Sequence, residues 1–372
     1  MKNNPRLKIA LVHEYLVKLG GAEKVLAVFA EMFPDAPIFT MLYDEKICGK
    51  VFPKERIKVS GLNKLPEFIK NKRRYLFPLM PKTIENFDFS DYDIVISSNS
   101  AYCHGIITNS NTFHICYCHS PMRYAWDWYH EYKDEQRVGF FKKMIISYLM
   151  KKIRIWDKAA SDRPDVYIAN SKNVQNRLKK YYRTNSLIIY PPVDINRFKV
   201  QKTHEDYFLI VSTLTPYKKI DLAIKLFNKI GKKLIIIGSG NEMQYLKNIS
   251  ENNIEFLGYK NDQEVSEYMQ NCRALIFPGE EDFGIAPIEA QACGKPVLGL
   301  EKGGLKETII SGKTGELFSE PTIESMENAL AKLIDNEKFY DTELMRKNAE
   351  RFGKEVFVER IRDIIKSVIR KP

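Results

Sequence analysis

No apolar run in this 372-residue chain reaches the length of a membrane-spanning helix, no segment is of low complexity, and no pattern repeats at a fixed period. A membrane-embedded bundle, a disordered chain and a solenoid or propeller are therefore excluded as readings. The six cysteines (Cys48, Cys103, Cys116, Cys118, Cys272 and Cys293) lie scattered in or beside apolar segments, which suits reduced core thiols rather than a disulfide framework. "CYCH" (116–119) brings thiols and an imidazole together, but no second Cys/His pair has matching spacing, and strand alternation already puts Cys116 and Cys118 on one face. No metal site is assigned. Neither G-x-G-x-x-G nor a P-loop occurs, so dinucleotide binding and nucleoside triphosphate hydrolysis lose support. The stretch "MKNNPRLKIALVHEYL" has a short apolar run and no small-residue cleavage site, so the expectation is a cytoplasmic chain without a signal peptide.

What the chain does have is enough apolar material, 44%, and enough length to build two cores. Its net charge of +11 suits an anionic partner: nucleic acid, a phosphorylated substrate or an acidic membrane surface. Aromatic residues do not interleave with basic ones in an RNA-binding pattern, so nucleic acid is not expected.

Short apolar runs alternate with helical patterns almost throughout. "LKIALVHEY" (7–15) reads as a buried strand followed by the helix "GAEKVLAVFAEMF" (21–33), and "DIVISSN", "FHICYCHS" and "DVYIANS" continue the strand series. A second series begins near residue 206 with "YFLIVSTL", "KKLIIIGSG", "NIEFLGY", "ALIFPG" and "KPVLGL". The fold class is α/β, with two doubly wound, Rossmann-like parallel-sheet domains. The Pro-containing, charged stretch "YPPVDINRFKVQKTHED" (190–206) predicts a hinge near 195–205, separating a domain over 1–200 from one over 201–351. Such sheets bind ligands at the carboxyl ends of their strands, so a cleft between two such edges is where function is sought.

Several motifs fall on those loops. Gly20 and Gly21 open the first helix, where backbone N–H groups suit a phosphate, although a tight strand-to-helix turn needs the same residues. His119 ends its strand beside Arg123, while Tyr124, Trp126, Trp128 and Tyr129 suit core cover or stacking on a ligand. Lys218 and Lys219 follow a Pro-containing turn, within reach of a diphosphate or simply solvated. "GSGNE" (238–242) is a Gly-rich loop after a strand. In "GEEDFGIAPIEAQACGKPV" (279–297), Pro287 sets a helix start around Ile285 or Ala286, which leaves Glu281 in the loop and Glu289 in the early helix. A carboxylate accepts hydrogen bonds from sugar hydroxyls, and the N–H groups around Phe283, Gly284 and Ile285 suit phosphate oxygens.

Taken together, the spacing E-x7-E from Glu281 to Glu289, "GGAEKVL", "YCHSPMRYAWD", "YPPVDINRF", "STLTPYKKIDLAI" and "GGLKETIISGKTGELF" resemble the GT-B retaining glycosyltransferases of family 4 (group 1), especially bacterial mannosyltransferase-like members that build surface polysaccharide or lipopolysaccharide. The resemblance spans nearly the whole chain. It implies that Glu289 binds the nucleotide ribose, that Glu281 and His119 contact the donor sugar, and that the backbone of Phe283, Gly284, Ile285 and Ala286 wraps sugar and phosphates. It implies also that Lys218 grips the diphosphate, that Gly20 and Gly21 approach it, and that the base rests near Gly238 and Tyr259. Thr213 stands where the family commonly carries Arg, with Lys219 or Arg123 as candidates to compensate. The final segment, 352–372, resembles the tail that returns to the N-terminal domain.

The implied reaction is hexosyl transfer with retention, without a metal or other cofactor. The donor is GDP-mannose, or alternatively a UDP-hexose, and the acceptor a lipid-linked saccharide. The mixed basic and apolar segments 62–82 and 140–156 suit either attachment to an anionic membrane surface or core helices with a solvated basic face. A noncatalytic sugar-nucleotide or anionic-surface binding protein is the reading from another class.

Overall fold

The computed structural model describes residues 7–70, 76–129 and 140–369. The chain forms two compact units, residues 1–189 with 360–372, and 190–359. The division precedes the 195–205 stretch read as a hinge. The reason is packing: Val193, Ile195 and Phe198 are buried in the core of the second unit, and Val193 N–H donates to Phe352 O at 2.9 Å. The second crossing falls inside the helix Lys354–Ile369, after residue 359.

The first unit holds strands β1 (Ile9–Leu16), β2 (Ile38–Tyr43), β3 (Ile57–Val59), β4 (Ile94–Asn99), β5 (Phe113–Cys118), β6 (Val166–Ala169) and β7 (Leu187–Ile188) in one parallel sheet of order β3-β2-β1-β4-β5-β6-β7. Strand order reverses between β1 and β4. β1 and β4 are buried nearly throughout, as strands covered on both faces must be. One apolar cluster includes Ala10, Val12, Phe39, Val95 and Ile153. Another gathers Cys116 and Cys118 with Tyr167, Val174, Leu178 and Tyr182, so these thiols are core residues on one strand face. All six cysteines are free and buried.

The second unit contains β8 (Phe208–Val211), β9 (Leu234–Ile237), β10 (Ile254–Gly258), β11 (Ala274–Phe277), β12 (Val297–Leu300) and β13 (Gly315–Phe318), again all parallel, in the order β10-β9-β8-β11-β12-β13. Here the order reverses between β8 and β11. Apolar clusters cover both faces: one contains Leu209, Ile235, Leu275, Ile288 and Val297, and the other Phe208, Ile210, Phe227, Ile236 and Ile276.

In the helix Phe140–Ala160, Met150, Ile153 and Asp157 are buried, whereas Met144, Ile145, Tyr148 and Ile155 are exposed alongside Lys151 and Lys152. A core helix with a purely basic outer face would not show those apolar side chains. In the segment 62–82, residues 71–75 lie outside the described residues, and Phe68 and Leu79 are exposed. Among the described residues, no helix is long and apolar enough to cross a membrane.

Candidate active site

Each reversal of strand order, the place where a doubly wound sheet leaves a crevice beyond its strand ends, brings together some of the residues singled out from the sequence, while Gly238 and Tyr259 lie on the β9 and β10 side. In the first unit, His13 on β1 is the register partner of Ser98 on β4, and Ser98 is the register partner of Tyr117 on β5, two residues before His119. His13 Nδ1 lies 3.1 Å from Ser98 Oγ, and Ser98 Oγ lies 2.8 Å from His119 Nε2. At the other end, His13 Nε2 is 3.7 Å from Glu23 Oε1.

Glu23 comes from the helix Gly21–Met32, and its other oxygen, Oε2, accepts from Gly20 N–H at 2.8 Å. Gly20 thus caps that helix with its own N–H already held by a carboxylate, while Gly21 is exposed. A Cβ on Gly20 would stand 3.0 Å from that same oxygen, so the turn is tight as well as polar. Burial would raise the pKa of Glu23, but His13, by hydrogen bond and charge, and Lys18 bring it down to about 2. Burial works against charge on His13, yet Glu23, Glu14 and Ser98 outweigh it and its pKa is raised. His119 is driven the other way, to about 3, by burial and by the nearby His13.

Glu14, next to His13 on β1, has a structural task. Its Oε1 accepts from the N–H groups of Ser100, Ala101, Tyr102 and Cys103 at 2.8–3.3 Å. That closes the turn after β4 and fixes the strand carrying Ser98. Arg123 donates from Nε to Ser120 Oγ at 3.2 Å and stacks its guanidinium over Trp128 at 4.6 Å. Trp126 stacks on Tyr181 and donates to Asp157, so it serves the interior.

In the second unit, Lys218 closes the loop after β8 and Glu281 lies in the loop after β11, and the two side chains form an ion pair. Burial is partial for both, at 13% and 19% side-chain exposure, which makes the pair sensitive to any anion that competes for the ammonium. Gly279 permits the approach: a Cβ there would sit 2.7 Å from Lys218 Cα. Lys219 has left-handed backbone (φ 52°), caps the helix Ile220–Ile230 and is exposed, as is Thr213.

Glu289 lies on the helix Ile285–Ala292, which begins where Pro287 placed it, and is 7% exposed. Its partner is Arg197, whose Nη2 reaches Glu289 Oε1 at 3.1 Å while Nη1 reaches Asp262 Oδ2 at 2.6 Å. The two acids of the E-x7-E spacing are therefore not a carboxylate pair, since each meets its own cation. Phe283 is buried against Tyr190 and Phe352, at ring distances of 5.6 and 5.4 Å. It anchors the loop whose next residue, Gly284, needs a left-handed φ of 86° to turn into the helix. Ile285 and Ala286 occupy the first turn, where backbone N–H groups have no intrahelical acceptor.

Gly238 N–H donates to Gly258 O at 2.8 Å, which joins the loops after β9 and β10, and the neighbouring Tyr259 is 81% exposed. A Cβ on Gly238 would fall 1.8 Å from Ser212 O, so glycine is obligatory there.

Sequence reasoning gave no role to Arg197, Gly303 or Gly304. Gly304 N–H donates to Glu281 O at 2.9 Å, and a Cβ on Gly304 would come within 2.4 Å of Phe283 Cα. The signal for these two glycines was present in "GGLKETIISGKTGELF"; Arg197 sits in a stretch that read as linker.

Two parallel, doubly wound units with polar constellations at both strand-order reversals define a two-domain α/β protein of Rossmann-like architecture. A family model described as glycosyltransferase family 4 matches residues 19–197, and one described as glycosyl transferases group 1 matches residues 193–355. The chain belongs to the GT-B group 1 glycosyltransferases, family 4. It is 30% identical, over 54% of its length and 58% of the relative's, to an uncharacterized glycosyltransferase of Methanocaldococcus jannaschii. It is 23% identical to the alpha-1,3/1,6-mannosyltransferase ALG2 of Dictyostelium discoideum, over 99% of this chain and 100% of that one. Among solved structures, HepE of Anabaena in complex with UDP and glucose aligns at a TM-score of 0.70 and 19% identity, covering 97% of this chain and 100% of that one.

Proposed function

We propose that this glycosyltransferase moves mannose from GDP-mannose to a lipid-linked saccharide, with retention of anomeric configuration, in the building of a bacterial surface polysaccharide. The observation that carries the reading is the Lys218–Glu281 pair at the β8/β11 reversal. A cation and a carboxylate held together there offer a diphosphate its counter-charge and a sugar hydroxyl its acceptor within one small space. The choice of mannose is supported by the full-length similarity to ALG2. A UDP-hexose donor is the second reading, favoured by the likeness to HepE, which was solved with UDP and glucose.

In this reading the bond between the anomeric carbon and the diphosphate oxygen breaks, and the acceptor hydroxyl attacks from the face the leaving group vacates. The acceptor proton passes to a departing phosphate oxygen, so no protein base is needed. Lys218 and the first-turn N–H groups of the helix Ile285–Ala292 stabilise charge growing on the diphosphate, an effect worth several kcal/mol in a preorganised site. Glu281 and His119 hold sugar hydroxyls, with the backbone from Phe283 to Ala286 around the sugar and phosphates. Glu289, oriented by Arg197, takes the ribose, and Gly20 and Gly21 leave room for the phosphates. No metal or other cofactor is assigned a role.

The exposed Met144, Ile145, Tyr148 and Ile155, beside Lys151 and Lys152, support attachment at the inner face of the cytoplasmic membrane, where a lipid-linked acceptor would be met. Sedimentation with anionic vesicles at low salt tests this, and a protein left wholly in the supernatant defeats it.

The donor is tested by thermal shift with GDP, UDP and their mannose and glucose conjugates. Stabilisation by GDP and GDP-mannose above the uridine series is the expected result, and the reverse order selects the UDP-hexose reading. The anomeric configuration of the product, read by NMR, decides retention.

A further inference from the structure

We propose that Glu23, His13 and Ser98 form a positioning relay that fixes the tautomer of His119, so that its ring presents a hydrogen-bond donor, Nδ1–H, rather than an acceptor. This rests on the reading above that His119 contacts the ligand. The relay itself is a property of the protein alone.

The argument is one of counting protons. The Glu23 carboxylate, 3.7 Å from His13 Nε2, favours a proton on each ring nitrogen of His13, and that is the arrangement adopted below pH 6.5. Its Nδ1–H then donates to Ser98 Oγ at 3.1 Å. Ser98 has a single hydroxyl proton, and with its oxygen already accepting from His13 that proton points to the other neighbour, His119 Nε2, at 2.8 Å. A neutral His119 whose Nε2 accepts has its proton on Nδ1. Among the described residues Nδ1 has no hydrogen-bond partner, and His119 is only half-buried, whereas His13, Ser98 and Glu23 are 2%, 0% and 5% exposed. The buried end of the chain is thus satisfied by protein, and the open end is left to a ligand.

Removing one proton reverses the whole chain. If His13 loses its Nδ1 proton while Glu23 retains the Nε2 proton, Nδ1 must accept from Ser98. Ser98 Oγ then accepts from His119 Nε2–H, and Nδ1 of His119 becomes a lone pair. A phosphate oxygen or a hydroxyl lone pair is welcomed by the first arrangement, and a phosphate oxygen is repelled by the second. The groups bearing on His13 are Glu14 on its own strand, Glu23 from the helix Gly21–Met32, Ser98 on β4 and His119 after β5, with Lys18 acting on Glu23. Of these four, Ser98 and His119 are neutral and Glu14 Oε1 is taken up by four backbone N–H groups, so Glu23, which faces Nε2 directly, is the group that decides the direction.

The test is the tautomer itself, read from two-bond nitrogen–proton correlations in protein labelled with 15N-histidine. The His119 signals are assigned by their loss in His119→Asn. In the wild-type protein at about pH 6, below the usual histidine value that His13 exceeds, protonated Nδ1 and unprotonated Nε2 are expected for His119. Ser98→Ala should move the population toward Nε2–H, and Ser98→Thr, which keeps the hydroxyl, should preserve Nδ1–H. Glu23→Gln should lower the pH at which the wild-type pattern inverts. An Nε2–H tautomer in the wild type, or no change in folded Ser98→Ala and Glu23→Gln, overturns the relay.

With a sugar-nucleotide donor, kcat/KM of Ser98→Ala should fall about 10-fold, the lower end of what loss of an orienting partner costs, and a pH–rate profile should shift in Glu23→Gln. Unchanged kinetics in Ser98→Ala would contradict the catalytic use of the relay. Because the NMR measurement needs no ligand, an altered tautomer without any transferase activity would remove the donor assignment and leave the relay standing.

Discussion

Arg197 holds two acids with one guanidinium, placing Nη2 3.1 Å from Glu289 Oε1 and Nη1 2.6 Å from Asp262 Oδ2. Glu289 is thereby oriented at the side of the β11 loop, although it is almost fully buried. A carboxylate in that setting needs a cation, and the fork geometry of Arg supplies it from a segment 92 residues away in sequence.

Arg197→Ala should therefore destabilise the second unit by about 1–3 kcal/mol, the cost of leaving a buried polar group without its partner. Arg197→Lys should recover only part of this, since an ammonium cannot span both acids as the planar fork does. Urea midpoints at constant m-value measure both.

Gly304 makes a separable prediction. Its φ is ordinary, but a methyl group there would collide with Phe283 Cα at 2.4 Å and Asp282 O at 2.6 Å. Gly304→Ala should cost about 1–3 kcal/mol through overpacking and displace the loop carrying Glu281. Urea denaturation measures the first effect. The second is read as weaker nucleotide binding than Gly312→Ala shows, because Gly312, with nothing within 4 Å, tests backbone strain without the collision.

The fold was legible because it is written in local pattern. Strands such as "LKIALVHEY" and "ALIFPG" announce themselves by buried apolar runs, and Pro287 marks its helix start to within a residue. β2, "IFTMLY", is equally buried, and a run that is apolar but for Thr40 has no periodicity that separates a strand from a buried helical turn. β3 and β7, of three and two residues, are too short for any periodicity to register.

The site was legible only by residue type. Lys218 and Glu281 stood out singly, but nothing in sequence spacing reports that strands β8 and β11 are neighbours, which is what brings the two together. Arg197, and the relay through Ser98, are tertiary for the same reason. The stretch "INRF" (195–198), within polar and charged surroundings, reads as linker until Ile195 and Phe198 are seen in the core.

The Glu23–His13 pair should leave a pH signature on stability. Glu23 is depressed to about 2, so its contribution is complete above its usual value of 4.5 and is lost as the pH falls through 2. His13 is raised above 6.5, so its contribution is complete below that value and is lost as the pH rises through the elevated folded value. The pair is thus at full strength between pH 4.5 and 6.5. Glu23→Gln should be most destabilising relative to wild type in that window, with the difference shrinking on either side. Paired urea titrations at acidic, mildly acidic and alkaline pH check the shape of the curve, and a difference independent of pH would contradict it.

The most direct measurement is calorimetric titration of GDP and UDP into the wild-type protein and into Lys218→Met, with Glu281→Gln as the companion variant. Loss of the ammonium should weaken binding of the preferred nucleoside diphosphate at least about 10-fold, a charge-assisted contact to phosphate being worth that much. Glu281→Gln, which frees the ammonium from its carboxylate, should leave binding of the bare diphosphate intact or tighter while abolishing most sugar transfer. Equal affinity in wild type and a folded Lys218→Met would show that the diphosphate is not held at the β8/β11 reversal, and the account would fail there.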